Sequence, residues 1–279
     1  MTGRKPPRRT RPRASAPAAP RASRRPSRKA AEFTLYGLNA CRQAFQSRPE
    51  DLLRLYFHKQ RAREMAPVKK WCADHRLPYR ELDDPELEKV AGGVHHEGVV
   101  MVLRPLNPPS AYDLVEQGLA GEQVAVAFDG IENPHNLGAL LRSCAYFGVA
   151  ACLLTGDQTR AVLTPSAGRM AEGALHTVPL YQCSDLASIL RELKRRGVAV
   201  LGTDPRAETS LHTHPLPRPC VVVMGNERTG LSTPVKKRCD ALIRIPGSGT
   251  MQSLNVSVAL GVVLSELVRR AAGTQEPLP

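Results

Sequence analysis

The stretch Val124-Ala125-Val126-Ala127-Phe128-Asp129-Gly130-Ile131-Glu132-Asn133-Pro134-His135-Asn136-Leu137-Gly138-Ala139-Leu140-Leu141-Arg142 decides how this chain is read. Unbroken apolar residues from Val124 to Phe128 predict a strand buried on both faces. The strand empties into a polar loop, and the loop feeds a helix. Asn136, Gly138 and Arg142 stand near one another on that helix, although not on one ideal face. Gly138 permits close backbone approach, and Arg142 offers a planar fork to phosphate or carboxylate. Taken alone, these residues suit a ligand site and suit equally a helix capped by Asn136 with Arg142 on its surface.

The same pattern recurs toward the carboxyl end. Apolar strands at Ala151 to Leu154, Val198 to Leu201, Val221 to Met224 and Leu242 to Ile245 alternate with helices. This predicts an α/β fold with a mainly parallel sheet covered on both faces. Ligands of such sheets gather at the carboxyl ends of the strands, where two further polar loops lie. One is Gly225-Asn226-Glu227-Arg228-Thr229-Gly230, whose glycines suit either a turn over a small molecule or a plain turn into a helix capped by Ser232. The other runs from Ile243 through Ile245-Pro246-Gly247-Ser248-Gly249 to Ser253-Leu254-Asn255. Ser253 and Asn255 there enter an apolar helix as caps or ligands.

Ahead of this region lies a smaller alternating pattern. Helix Leu38 to Gln46, strand Leu52 to Phe57, helix Arg63 to His75, a short strand near Tyr79, a helical turn around Pro85 to Val90 and strand Gly98 to Leu103 predict a compact α/β module over 33–104. Pro105, Pro108 and Pro109 mark a linker, so 105–120 reads as linker and first helix, and 121–271 as the second domain. Two domains fit a chain of 279 residues.

The charge is unevenly placed. The first 30 residues carry 11 of the 39 Lys and Arg and no acid, which leaves 28 basic against 26 acidic side chains elsewhere. With six prolines among them, residues 1–32 read as a disordered basic arm, and 272–279 as a flexible terminus. Arg8, Arg9, Arg24 and Arg25 of the arm are candidate phosphate contacts; a solubilising terminus is the second reading, and a mitochondrial transit peptide a third that the proline density disfavours.

Several function classes are excluded. No apolar run reaches the roughly 18 to 20 residues of a membrane span. Seven scattered cysteines without a CxxC pair suggest neither a disulfide framework nor a zinc knuckle, and place the chain in a reduced cytosol. His95, His96 and Glu97 lack a further ligand at metal-like spacing, so no metal is expected. The dinucleotide glycine fingerprint and the P-loop lysine are missing. Cys144 reads as packed inside its helix rather than nucleophilic.

Taken together, the three loops resemble the SpoU or TrmH branch of the SPOUT RNA methyltransferases. Asp129 to Arg142 is similar to the first family motif, Gly225 and Glu227 to the second, and Ile245-Pro246 with Ser253-Leu254-Asn255 to the third. Residues 33–104, with His96-Glu97-Gly98, resemble the L30e-like RNA-binding domain of several members; the whole chain resembles a YfiF-like subgroup. The resemblance implies a trefoil knot, S-adenosyl-L-methionine as methyl donor, a ribose 2'-hydroxyl of rRNA or tRNA rather than DNA as acceptor, and a homodimer. It implies Arg142, Asn136, Glu227, Ser253 and Asn255 as catalytic residues, with Arg142 and Asn136 also on RNA. Met224, Gly225, Asn226, Glu227, Ile245, Pro246, Ser253, Leu254 and Asn255 would hold the cofactor. Arg228 departs from the usual Glu-Gly of the second motif. With the basic arm it motivates the alternative of a non-catalytic RNA-binding or ribosome-associated descendant.

Overall fold

The computed structural model describes residues 32–272. Its first elements are β1 (Phe33–Tyr36), α1 (Leu38–Ser47), β2 (Leu52–Phe57), α2 (Ala66–Asp74), β3 (Tyr79–Glu81), α3 (Asp84–Ala91) and β4 (Val99–Leu103). The four strands form one sheet in the order β1-β4-β2-β3. β4 is antiparallel to both neighbours, and β2 and β3 run parallel. Every residue of β4 is buried, because the sheet is covered on both faces. Local signals fix the helices. Asp83 and Glu86 form a capping box at the start of α3, and Gly92, at φ +70°, ends it. α1 starts at Gly37, which has no side chain to cap it; the Glu97 carboxylate accepts from Leu38 N–H at 3.0 Å instead.

The larger sheet begins after α4 (Ala111–Gln117). Its elements are β5 (Val124–Asp129), α5 (Pro134–Tyr146), β6 (Ala151–Thr155), α6 (Gly156–Val162), α7 (Pro165–Ala171), α8 (Ala174–Thr177), β7 (Leu180–Cys183), α9 (Leu186–Arg195), β8 (Ala199–Thr203), β9 (Thr209–Ser210), β10 (Cys220–Gly225), α10 (Thr233–Lys236), β11 (Ala241–Arg244) and α11 (Val256–Ala272). The order is β7-β6-β5-β10-β8-β11-β9, and every pairing is parallel. From β5 the chain builds outward to β6 and β7, then returns to lay down β8. β10 afterwards fills the place between β5 and β8, so the direction of winding reverses there. In open α/β sheets such a reversal leaves a crevice at the strand ends.

β10 shows how the layers close. Val222 and Met224 join one buried cluster with Leu137, Leu140 and Leu260, while Val221 and Val223 join another with Leu190, Leu193 and Leu114. The first cluster continues without a break into Phe33, Leu35 and Leu55 of the smaller sheet. Both sheets therefore belong to one compact unit.

The structure departs from the sequence reading at several boundaries. α2 starts at Ala66 rather than Arg63, because Pro67 is tolerated only in a first turn. The helical turn at Pro85 is a full helix, and β11 lies one residue earlier because its ladder with β8 opens at Ala241. Strands β1, β7 and β9 were not read at all, and each is a sheet edge, where only one neighbour supplies hydrogen bonds. The Pro-rich segment expected as a linker is pinned to such an edge, with Gln182 N–H donating to Pro109 O at 2.8 Å. Glu32, assigned to the disordered arm, pairs with Arg54, and α11 reaches Ala272, into the stretch expected to be flexible. The remainder of both termini, with Arg8, Arg9, Arg24 and Arg25, lies outside the described residues.

Candidate active site

β5 and β10 are paired through their last residues, Gly225 opposite Asp129, so the first two polar loops leave the sheet side by side. The loop after β10 turns back immediately: Asn226 and Gly230 exchange backbone bonds of 3.1 and 2.9 Å. A Cβ on Gly225 would lie 2.5 Å from the Gly230 carbonyl carbon, which only glycine avoids. The Asn226 side chain holds this turn at both of its ends. Its oxygen accepts from Arg228 and Thr229 N–H at 2.8 and 3.2 Å, and its nitrogen donates to Gly130 O at 2.7 Å, tying the second loop to the first. Ser232 stands at the start of α10, but its side chain makes no capping bond; the Asp129 carboxylate accepts its N–H at 2.6 Å.

The capping role considered for Asn136 belongs to Asn133, whose side chain accepts from His135 N–H at 2.9 Å. Asn136 is thereby free to face the other loops. Its Nδ2 donates to the Glu227 carboxylate, and its Oδ1 accepts from Asn255 Nδ2 at 3.3 Å. Asn255 in turn caps α11, accepting from Ser257 N–H at 2.9 Å and Ser257 Oγ at 2.6 Å. One residue from each of the three loops thus meets in a single chain of side-chain hydrogen bonds. Ser253 does not enter the helix: with Pro246 and Leu254 it lies in the continuously exposed stretch 246–255, ahead of Val256. Ile245 is half-buried and Met224 fully buried at the strand ends.

Sequence reasoning missed Thr203, at the end of β8 between β10 and β11. Its hydroxyl donates to Val223 O at 3.0 Å and lies 3.7 Å from Met224 Sδ, while its backbone is in register with Ile243. A threonine ending an apolar strand beside two motif-bearing strands was the available signal.

Arg142 is held apart from these bonds. Its Nη1 donates to Glu172 Oε1 at 2.7 Å, and its side chain remains 58% exposed. Glu172 was not singled out from the sequence. Gly138 makes its close approach to helix α7, since a Cβ there would lie 2.6 Å from Ala167 O and 2.7 Å from Met170 Cβ.

Neither cysteine near this helix offers a nucleophile. Cys144 and Cys152 are both fully buried, and burial, followed by the neighbouring Cys144, pushes the Cys152 thiol well above its ordinary range. His96 accepts from Gly98 N–H at 3.0 Å within its own turn. Among the described residues no group of three His, Cys, Asp or Glu is arranged to hold a metal, and no helix is long and apolar enough to cross a membrane.

Comparison with known proteins covers the same regions. A family model described as the SpoU rRNA methylase family matches residues 123–265, and one described as RNA 2'-O ribose methyltransferase substrate binding matches residues 34–109. The chain is similar to the uncharacterized tRNA/rRNA methyltransferase YfiF of Escherichia coli O157:H7, at 35% identity over 87% of this chain and 69% of that protein. It is similar also to the 23S rRNA (guanosine-2'-O-)-methyltransferase RlmB of Neisseria meningitidis serogroup B, at 34% identity over 85% and 94% of the two chains. Among solved structures, the SpoU methyltransferase AviRb from Streptomyces viridochromogenes in complex with AdoMet superposes with a TM-score of 0.70 at 22% identity, over 87% and 91% of the chains. The rRNA methyltransferase from Sinorhizobium meliloti gives 0.73 at 22%, over 87% and 88%. At such identities the structural likeness concerns the fold. The motif-bearing loops fall inside the matched region, the sheet that carries them has the fold of these enzymes, and the chain belongs to the SpoU rRNA methylase family.

Proposed function

We infer that the chain is an S-adenosylmethionine-dependent RNA methyltransferase acting on a ribose 2'-hydroxyl of rRNA or tRNA. The observation that carries this reading is the bonded series Glu227, Asn136 and Asn255, one residue from each loop at the carboxyl end of the sheet. The donor set fits the cofactor. Backbone groups around Met224, Gly225, Ile245 and Leu254 would be hydrogen-bond partners for an adenine and an amino-acid moiety, and the side chains of Ile245 and Leu254 would add apolar surface. When bound, S-adenosylmethionine supplies a methyl group already activated by its sulfonium centre.

The protein's part is alignment and charge. Asn136, Asn255 and Glu227 orient the substrates, Ser253 completes the site from the exposed loop, and Asn226 fixes the turn under Glu227. Holding the acceptor oxygen in line supplies much of the acceleration. Arg142 meets the target phosphate and hydroxyl. A guanidinium stays protonated at neutral pH, so Arg142 positions and stabilises charge there.

The finer architecture follows the same reading. Residues 33–104 form an L30e-like RNA-binding domain, 105–120 the connection and 121–271 the catalytic domain, with Arg8, Arg9, Arg24 and Arg25 adding phosphate contacts from the basic arm. The trefoil knot is supported by the packing of segment 204–219 on α11, where Arg270 donates to the carbonyls of Leu211 and His212 at 3.1 and 2.7 Å. The active form is a cytoplasmic homodimer.

Transfer of labelled methyl from S-adenosylmethionine to total RNA lacking this modification, followed by nucleoside mass spectrometry, tests the reading. A 2'-O-methylated nucleoside that is absent with Arg142→Ala is the expected result. RNA binding by a folded protein without any transfer would instead select the non-catalytic alternative.

A further inference from the structure

Arg142 reaches the site from a helix, on a long side chain that solvent alone would leave in many rotamers. Its partner Glu172 stands at φ +46°, a left-handed conformation uncommon for a glutamate. Such a conformation persists only where the surroundings over-determine it, and here they do. Helix α7, which Glu172 terminates, is clamped on two sides by glycines. Gly138 of α5 presses on Ala167 and Met170 of α7, while Gly168 of α7 leaves room for Leu35 and Phe33 of β1, whose atoms would lie 2.7 and 3.0 Å from an added Cβ. The next residue, Gly173 at φ +94°, is pressed onto α1, where a Cβ would come within 2.1 Å of Gln43 Cβ. Arg169 of α7 also lies 3.9 Å from Glu97, the residue that caps α1.

We propose that Glu172 is a positioning residue: carried on the clamped turn between α7 and α8, it holds the Arg142 guanidinium by one nitrogen and leaves the others directed to the RNA. Nη1 alone donates to Glu172, so Nε and Nη2 remain for a phosphate or hydroxyl oxygen. Because the turn rests on α1 and β1, the placement of Arg142 depends on the smaller sheet against which α7 packs. The proposal rests on the reading of Arg142 as the residue that meets the target nucleotide.

Both partners are more than two-fifths exposed, and ion pairs of this kind add little to stability. Glycine at 172 accepts the backbone without strain. The full chain is therefore tested as Glu172→Gly and Glu172→Gln in single-turnover methyl transfer to total RNA lacking the modification, at saturating enzyme and S-adenosylmethionine. Glu172→Gly is expected to keep or raise the melting temperature and to keep cofactor affinity by calorimetry, while its rate constant falls at least tenfold. Glu172→Gln, which retains an accepting oxygen, restores part of the rate. In an Arg142→Lys background the Glu172→Gly change has a much smaller effect, because the interaction it removes is already disturbed. An unchanged rate in Glu172→Gly, or the same fold-loss in both backgrounds, overturns the proposal while leaving Arg142 in place. Full transfer by Arg142→Ala overturns the reading of Arg142 and this proposal with it.

Discussion

The side-chain amide of Asn136 donates to the carboxylate of Glu227, 91 residues further along the chain. The two are adjacent because β10 pairs with β5 although β6, β7, β8 and β9 lie between them in the chain. Since the Asn136 oxygen also accepts from Asn255, its two ends are not interchangeable. Asn136→Asp replaces the donor by a second carboxylate facing Glu227. Methyl transfer is expected to fall by about 100-fold, the scale of a small misplacement of reacting groups. Asn136→Ala should lose somewhat less, and comparison of the two rates at equal RNA and cofactor concentration checks the sign of that difference.

Gly138 lies where α5 and α7 touch. Gly138→Ala drives a methyl group against Ala167 O and Met170 Cβ, so the helices must separate. Overpacking of this kind costs about 1 to 3 kcal/mol. Urea unfolding should show the loss, with methyl transfer reduced as well because α7 carries Glu172.

Arg228 sits at the tip of a turn whose backbone is held by Asn226, yet its guanidinium has no hydrogen-bond or ion-pair partner among the described residues. A free cation beside the site is available to an RNA phosphate. Arg228→Ala should therefore weaken RNA binding and lower the slope of log affinity against log salt by about 1. Filter binding over a salt series measures this, and calorimetric affinity for S-adenosylmethionine should stay the same.

Burial, and then the positive charge of Arg48, hold the His176 imidazole down at about 4, against an ordinary 6.5. Both ring nitrogens are buried without a hydrogen-bond partner among the described residues. The unfolded chain therefore takes up a proton at a pH where the folded one does not. This penalty is absent above pH 6.5 and grows as the pH falls toward 4, on the order of 1 to 2 kcal/mol by pH 5. His176→Leu should flatten the decline in unfolding free energy measured between pH 7 and 5.

Much of the larger sheet was legible from residue order. Strands such as Val221 to Met224 are covered on both faces and carry unbroken apolar runs. The edge strands of this sheet were not legible for the converse reason. Leu180–Cys183 exposes Gln182, and Thr209–Ser210 has only two residues; each is a strand by virtue of its neighbour's hydrogen bonds. Asn136 illustrates the same limit at the site: position near a helix start made it a candidate cap, and only the structure gives that role to Asn133.

By itself, the sequence determined the α/β class, the parallel sheet and the three polar loops, because buried strands and the residues that end them are local properties of composition and spacing. The tertiary structure alone decided which loops meet, that Thr203 bonds to the end of β10, and that Glu172 faces Arg142. Those relationships join residues tens of positions apart in the chain, and strand order together with helix packing, which local patterning does not encode, brings them within hydrogen-bonding distance.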